Sequence, residues 1–390
     1  MAARFLNKED NMDNKELLQE RIKLFSDAVE FKKVKRVPRV SNAWTWKIAD
    51  CDLQPKLSES LADFSIMERC VREHHERYNF DTYIDLGVRN NVNVSKALGH
   101  TQHVVDDEHF RICAVDEVTI GDDEFDEYTK DPNLFVWKKV GPMFFENLTY
   151  QDIEDAVKAN QKYVNYVVGI QNTMVYEYGV PLLGKTVALH PLENVLNAGR
   201  GIKNISTDLR RRPEKLMAIT DVKASAIYNT VSTNLDTPSD NYAFDLRITM
   251  LMHSLTNRKQ FEEIFWPFIR NVIDIGLNKD KKIFLFVEAS IQRLADFFDD
   301  FKRGNICMLN EMDDIFELRE RFPNLALCGG MNINMLQYGS PEECKVRVRK
   351  LVSEMGPGYI FGQDKMMSFR TDGRRENMLA AREALDELGM

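Results

Sequence analysis

The sequence predicts an α/β protein closed as a single (β/α)8 TIM barrel, on three observations. From residue 283 to 390 one pattern repeats four times: a short apolar run, a polar break, then an amphipathic helical stretch. The first half carries four more apolar runs separated by helical spacing, and eight strands are what such a barrel needs to close. At 390 residues the chain exceeds the roughly 250 of a typical barrel, which leaves room for an N-terminal helical extension and an insertion near residues 100–149.

Each element has its own signal. Residues 1–12 read as a disordered leader, with the barrel domain spanning 13–390. Asp13 is placed to cap a helix over 13–31, whose residues Leu17, Leu18, Ile22, Leu24, Phe25 and Val29 keep helical spacing. After Pro38, VSNAW (40–44) is the first strand, ending at Trp44 and Trp46. A helix over 66–78 leads to the second strand, TYIDLGV (82–88). On that helix His74 and His75, between Glu73 and Glu76, read as surface residues. Between 99 and 149 the pattern breaks into short β-like pieces and an acidic turn at 122–128, an insertion placed to cap the barrel mouth. A long helix over 150–178 starts at Thr149. The third strand, KTVALH (185–190), is closed by Pro191. Arg210, Arg211 and Arg212 before Pro213 read as a solvated helix entrance. The fourth strand, 242–251, ends near His253, and an aromatic-rich helix covers 257–274. The last four strands are 283–287, 305–309, 325–328 and 358–361. They end at Glu288-Ala289-Ser290, Asn310-Glu311, Gly329-Gly330-Met331-Asn332 and Gly362-Gln363-Asp364-Lys365. In a parallel sheet, ligands collect at the carboxyl ends of the strands, so these clusters are where a site belongs.

Composition excludes several classes of function. A hydrophobic content of 44% with 29% charged residues is that of a globular protein, and no apolar run approaches the roughly 20 residues of a membrane span. The N-terminus lacks the apolar stretch of a secretory signal, which points to the cytoplasm. A net charge of −9 argues against a nucleic-acid surface, which needs a clustered basic face. Six cysteines are scattered without CxxC spacing, as expected of reduced thiols, and Cys307 and Cys328 fall inside strands as core.

Taken in order, several blocks resemble the uroporphyrinogen decarboxylase superfamily over roughly Asp13 to Leu385. They are Arg36-Val37-Pro38, Tyr83-Ile84-Asp85-Leu86 with Ala97-Leu98-Gly99, and Arg200-Gly201-Ile202-Lys203 leading to Asp208 through Lys215. They continue with Lys259-Gln260-Phe261-Glu262 to Trp266-Pro267, Gly329-Gly330 with Gly339-Ser340-Pro341-Glu342-Glu343, and Gly358-Tyr359-Ile360 with Glu376-Asn377. The resemblance implies a (β/α)8 barrel with its pocket at the strand C-termini, and either tetrapyrrole decarboxylation or corrinoid-linked methyl transfer. True decarboxylases carry a Trp-Phe-Met-Arg-Gln-Ala-Gly block whose Arg binds substrate carboxylates. Here the comparable stretch from Ala43 to Asp50 lacks that Arg, although Asp85 matches their second-strand Asp. Zinc-dependent methyltransferases carry a His-x-Cys at one strand end and a later Cys. Here Glu288-Ala289 and Gly362-Gln363-Asp364 supply neither, so no zinc is expected. A branch resembling anaerobic O-demethylases has a Glu in this strand followed by an Arg-Leu pair, which Glu288 with Arg293-Leu294 fits.

On this reading the chain is a methyltransferase moving a methyl group from a small donor, such as a methoxylated aromatic, to a corrinoid (cobalamin) on a partner protein. A decarboxylase and a non-catalytic binding member stand as alternatives, and the oligomeric state stays open. Glu288, placed by an apolar strand at a core edge, is the candidate general acid in place of a metal; as a bland alternative it caps the next helix or forms an ion pair. Asp85 is the second catalytic candidate, or else pairs with Arg89. For binding substrate the sequence offers Trp44, Trp46, Asn90, His190, His253, Asn310, Asn332, Gln363, Asp364 and Lys365. Trp44 and Trp46 make an aromatic wall or simply cap the barrel. His190 and His253 form a His/His/Glu set with Glu288 or are structural.

Overall fold

The computed structural model describes residues 13–87, 91–99, 103–114, 118–145, 147–238 and 240–389. The expected leader and the site candidate Asn90, with Arg89, lie outside these residues. Eight parallel strands form one sheet: β1 (Arg39–Ser41), β2 (Thr82–Tyr83), β3 (Leu182–Leu189), β4 (Tyr242–Met250), β5 (Ile283–Val287), β6 (Ile306–Asn310), β7 (Ala326–Met331) and β8 (Tyr359–Gln363). The hydrogen-bonded order is β2-β1-β8-β7-β6-β5-β4-β3, so the sheet curls into a nearly closed barrel surrounded by helices. The expected (β/α)8 barrel is therefore the fold.

β5 to β8 are buried on both faces, which is why they read as continuous apolar runs rather than alternating ones. Phe284, Phe286, Cys307, Leu309, Ala326, Cys328 and Ile360 fill the interior together with Val40 and Ile84. Ile283, Leu285, Val287, Ile306, Met308, Leu327 and Phe361 instead join the core beneath the helices. The N-terminal helix α1 (Asn14–Val29) begins at Asp13, whose carboxylate accepts from Lys15 N, and puts Phe25, Ala28 and Val29 into the interior cluster. It closes the barrel floor.

One ladder is missing: among the described residues no backbone pairing joins β2 to β3. The expected strand over 82–88 shrinks to two residues because nothing extends it on that side. Side chains close the seam instead. Buried Arg21 of α1 donates through Nε to Asp81 Oδ1 (3.2 Å), through Nη2 to Asn79 Oδ1 (3.0 Å), and through Nη1 to the carbonyls of Tyr178 (2.7 Å) and Gly179 (3.1 Å). Arg36 grips the same carboxylate with two nitrogens (2.6 and 2.7 Å), and Arg39 N donates to it (2.9 Å). Thr82 Oγ1 donates to Pro181 O (2.8 Å), and Arg247 of β4 reaches Ile84 O (3.3 Å). Burial alone would raise the Asp81 carboxyl, but Arg36, Arg21 and Arg39 hold it well below the usual carboxylate range.

The insertion lies between β2 and β3. It contains an antiparallel hairpin (His103–Asp106 with Arg111–Ala114), short helices over Phe125–Lys130, Pro132–Phe135 and Gly141–Phe145, and a long helix that starts at Thr149 with a capping box to Asp152. Arg200 ties its 118–122 stretch to the barrel, donating to Ile120 O (2.7 Å), Asp122 (2.7 Å) and Asp208 (2.8 Å). Arg212 pairs with Asp122 and Asp208, while Arg210 and Arg211 are exposed as expected.

The helix α2 (Phe64–Tyr78) corrects the reading of its histidines. His74 and His75 are buried, because Met67, Cys70, Val71, His74 and Tyr78 fall at three- and four-residue spacing on the barrel-facing side. His74 Nε2 lies 3.2 Å from Ser41 Oγ, and His75 Nδ1 lies 2.7 Å from Tyr83 Oη. Burial pushes both imidazoles well below their ordinary value, so they are neutral.

The seam cluster predicts a large effect of one isosteric change. Asp81→Asn leaves buried Arg21 without its counter-charge, and should cost about 3–5 kcal/mol in urea-induced unfolding. A loss below about 1 kcal/mol would show that the seam is closed by other means.

Candidate active site

The strand C-termini gather most of the chemistry-bearing side chains. β5 delivers Glu288, half-buried, whose backbone N donates to Met250 O (3.0 Å). The next residue, Ala289, has φ 82, a left-handed conformation that a non-glycine residue holds only when its surroundings enforce it. Asn310 at the end of β6 is the enforcer: its Nδ2 donates to Ala289 O (2.8 Å) while its Oδ1 accepts from Met312 N (2.9 Å) and Asp313 N (2.7 Å). Asp313 in turn accepts from Ser290 Oγ (2.6 Å) and Ile291 N (2.8 Å). The turn that carries Glu288 is thus clamped from β6, and Asn310 is a positioning residue.

Two further strand-end residues, absent from the sequence reading, carry unusual surroundings, and the first lies within electrostatic reach of Glu288. Glu193, in the first turn of the helix Pro191–Val195 after β3, is buried and accepts from Leu251 N at the end of β4 (2.7 Å). Its other oxygen has no hydrogen-bond partner. Burial, with the Glu288 charge adding to it, pushes the Glu193 carboxyl up to about 8, so it holds its proton near neutrality. The signal was present in sequence as an acid two residues beyond Pro191, just past a strand end. Asn42, one residue beyond β1, is buried with neither amide oxygen nor amide nitrogen partnered. Strand alternation from interior Val40 points it into the mouth, and such an amide is costly to leave unsatisfied.

A cavity of about 220 Å³ lies over the ends of β6, β7 and β8, lined by Asn310, Glu311, Asn332, Asp364, Arg347 and Cys328 among others. Asn332 Nδ2 donates to Asp364 Oδ2 (2.9 Å), and burial raises the Asp364 carboxyl to about 6. Glu311 crosses toward the β8 loop to accept from Met366 N (3.1 Å). The structure therefore brings Asn310, Asn332 and Asp364 together and adds Glu311. Lys365 is exposed beside them, and Trp44 is half-buried at the end of β1.

Other candidates are taken up by packing and by structural hydrogen bonds. Trp46 starts a short helix, is buried, and donates through Nε1 to Gly373 O (3.0 Å) with its ring against His74 and Tyr78. The first strand ends at Ser41, so the chain turns before Trp46 could reach the mouth. Gln363 accepts from Asn42 N (2.7 Å) and joins β8 to β1. His190 caps its own helix by accepting from Leu192 N (3.2 Å) and stacks on Phe265 at 4.2 Å. Burial lowers it to about 3. His253 is buried against the backbone of Met250, Ala289 and Ser290, and burial, then the Arg293 charge, lowers it to about 4. Both imidazoles are neutral, and among the described residues no group of three or more His, Cys, Asp or Glu is arranged to hold a metal ion. The His190/His253/Glu288 set is therefore not assembled.

Asp85 also departs from its expected place. It lies two residues past β2 and lines a second cavity of about 300 Å³ over the seam, with Tyr163, Tyr166, Gln171, Lys185, Tyr242 and Arg247. Lys47 Nζ donates to its carbonyl (2.7 Å). Gly87 (φ 124) admits Tyr166 there, since a Cβ would fall on the Tyr166 hydroxyl, which donates to Leu86 O (2.8 Å). Neither cavity is lined by both Asp85 and Glu288.

Comparison with solved structures adds one finding. The chain is similar in fold to a methyltransferase from Methanosarcina mazei. The match covers 97% of this chain and 99% of that one, with a TM-score of 0.59 and 13% identity. At that identity the likeness speaks to the barrel alone. No family model and no curated protein matches the sequence. Among the described residues, no helix is long and apolar enough to cross a membrane.

The raised Glu193 carboxyl sets a pH dependence of stability. The folded chain keeps a proton that the unfolded chain releases near the ordinary value of 4.5, so stability falls as pH rises from there to about 8 and levels off above. Urea unfolding at pH 5 and at pH 8.5 should differ by on the order of a few kcal/mol from this group. Glu193→Gln should flatten that slope; an unchanged slope would mean that Glu193 is ionised when folded.

Proposed function

We propose that this chain is a methyltransferase that takes a methyl group from a small methyl ether, such as a methoxylated aromatic, and passes it to a corrinoid on a partner protein, with Glu288 as general acid. The observation that carries this reading is the carboxyl pair at the mouth: Glu288 on a clamped turn, and Glu193 buried within its electrostatic reach and raised to about 8. Glu193 keeps a proton near neutral pH beside the Glu288 charge, and in this reading that proton passes to Glu288 and from there to a leaving oxygen. The resemblance to the O-demethylase-like branch of the uroporphyrinogen decarboxylase superfamily, with Glu288 followed by Arg293-Leu294, supports the same assignment. The end-to-end fold likeness to a methyltransferase is consistent with methyl transfer in general and bears on neither the donor nor Glu288.

The chemistry asks little of the protein beyond placement and one proton. The corrinoid supplies the nucleophile. As the methyl carbon leaves, the C–O bond breaks with its electron pair on oxygen, and Glu288 gives that oxygen its proton. Glu193 acts through Glu288, as the neighbour whose charge state sets how readily Glu288 parts with a proton. Asn42 offers an unpartnered donor and acceptor to hold the substrate, and Trp44 a flat face to stack it. Among the described residues His190, His253, Cys328 and the strand-end carboxylates are not gathered into a group of three that would hold a zinc ion, so no step is routed through one. The same acidity disfavours decarboxylation of a many-carboxylate substrate, which would want a ring of Arg and Lys.

Glu288→Gln should lower methyl transfer from aryl methyl ethers to reduced corrinoid by about 10²- to 10⁴-fold while leaving the unfolding midpoint near that of the parent chain. Wild-type rates in that variant would remove Glu288 from the mechanism. No turnover by the parent chain over a broad donor panel would remove the assignment itself.

A further inference from the structure

The gap between β2 and β3 leaves the cavity of about 300 Å³ where a ladder would run, and the two strands beyond the gap turn a matched pair of side chains into it. On β3, Thr186 Oγ1 accepts from Asn234 Nδ2 of the helix Pro213–Asp236 (3.1 Å), and Ala188 joins the core beneath the helices. Val187 between them therefore faces the barrel interior, where it lines the cavity and is 53% exposed. On β4, Leu246 and Ile248 join the same helix-side core, so Arg247 also faces inward. Val187 and Arg247 are register partners in the parallel pair, which sets a guanidinium beside an open apolar side chain.

Two glycines clear the space around this pair. A Cβ on Gly184 would lie 3.0 Å from Arg247 Cβ, and one on Gly87 would lie 2.4 Å from the Tyr166 hydroxyl. Tyr163 and Tyr166 of the long helix and Tyr242 of β4 add ring faces to the same volume. Arg247 Nη1 reaches Ile84 O at 3.3 Å, the long end of a hydrogen bond, and its Cζ stands 5.9 Å from the Phe286 ring centroid. Its planar fork carries five N–H donors in the geometry that matches a carboxylate. The ammonium of Lys185 is turned away to the carbonyls of Asn234 and Thr237, so among the described residues Arg247 is the cation that the cavity presents. Asp85 in the β2 wall limits the charge that fits, because a dianion would meet like charge there.

We propose that the seam cavity is a binding site for a small monoanion with a flat apolar body, its carboxylate held by Arg247 and its body covering Val187 against the tyrosine rings. A volume of about 300 Å³ is at the lower end of small-molecule pockets and suits a single-ring acid. Burying such a ring takes the apolar face of Val187 out of water, while the head gains charge-assisted hydrogen bonds from the fork. Glu288 is not among the residues that line this cavity, and the inference is independent of the reaction assigned above.

Two-dimensional NMR titration of the full chain with benzoate, acetate and benzyl alcohol at one ionic strength tests it. Benzoate carries head and body, acetate the head alone, and benzyl alcohol a neutral head on the same ring. The expected result is saturable benzoate binding that shifts the Gly87 and Gly184 amides, with acetate and benzyl alcohol each weaker by about 10- to 100-fold. Arg247→Met should bring benzoate down to the level of benzyl alcohol. Val187→Glu, which sets a carboxylate of the chain's own beside Arg247, should abolish benzoate binding. Absence of saturable benzoate binding, benzyl alcohol binding as tightly as benzoate, Gly87 and Gly184 amides that do not move, or full benzoate affinity in either variant would overturn it. Should Arg247→Met fail to fold, Val187→Glu decides, since its exposed position tolerates the charge.

Discussion

The barrel depends on one buried carboxylate. Asp81 accepts from Arg21, Arg36 and the Arg39 amide, and through them joins α1, the chain entering β1 and the start of β2. Arg21 carries the link on to the carbonyls before β3. A closed barrel usually gets this continuity from backbone ladders, which share the work over many weak bonds. Here the β2–β3 gap concentrates it in a few charged ones. Breaking one partner of such a buried network leaves the others stranded, which is the costly case for ions in low dielectric.

The gap in turn explains where the insertion sits. With no backbone ladder between β2 and β3 among the described residues, the chain between them leaves the barrel for about a hundred residues and returns as a long helix. The carboxyls at the mouth belong to the opposite regime. Glu193 keeps its proton near neutrality and Asp364 is raised to about 6, because burial outweighs the hydrogen bonds that would favour the anion. The same force, desolvation, is overcome by arginines at the floor and left standing at the mouth.

Sequence made some of this legible and hid the rest for physical reasons. β5 to β8 were readable because strands buried on both faces must be apolar throughout, and Glu288 was readable because it interrupts such a run. The end of β2 was not, since strand length there is set by the absence of a neighbour on one side, which no local pattern records. His74 and His75 looked exposed beside two glutamates; helical geometry turns them to the barrel while Glu73 and Glu76 turn away. Glu193 and Asn42 were missed because each gains its character only from what lies around it: a buried carboxyl beside a second acid, and an amide whose partners are absent. Trp46 and His190 follow strand ends in sequence, but the chain turns at once into helices, where Trp46 bonds to Gly373 O and His190 caps its own helix, which a strand-end pattern does not record.

The floor formed by α1 has a consequence for how the molecule comes into being. Phe25, Ala28 and Val29 rest against Phe244, Phe284 and Ile360, and Asn42 next to β1 bonds to Gln363 of β8 across a sequence separation of 321 residues. During synthesis the first helix and strand therefore emerge long before the surfaces that complete them. Closure of the ring thus rests on contacts of very high sequence separation, which carry the largest loop-closure cost in folding.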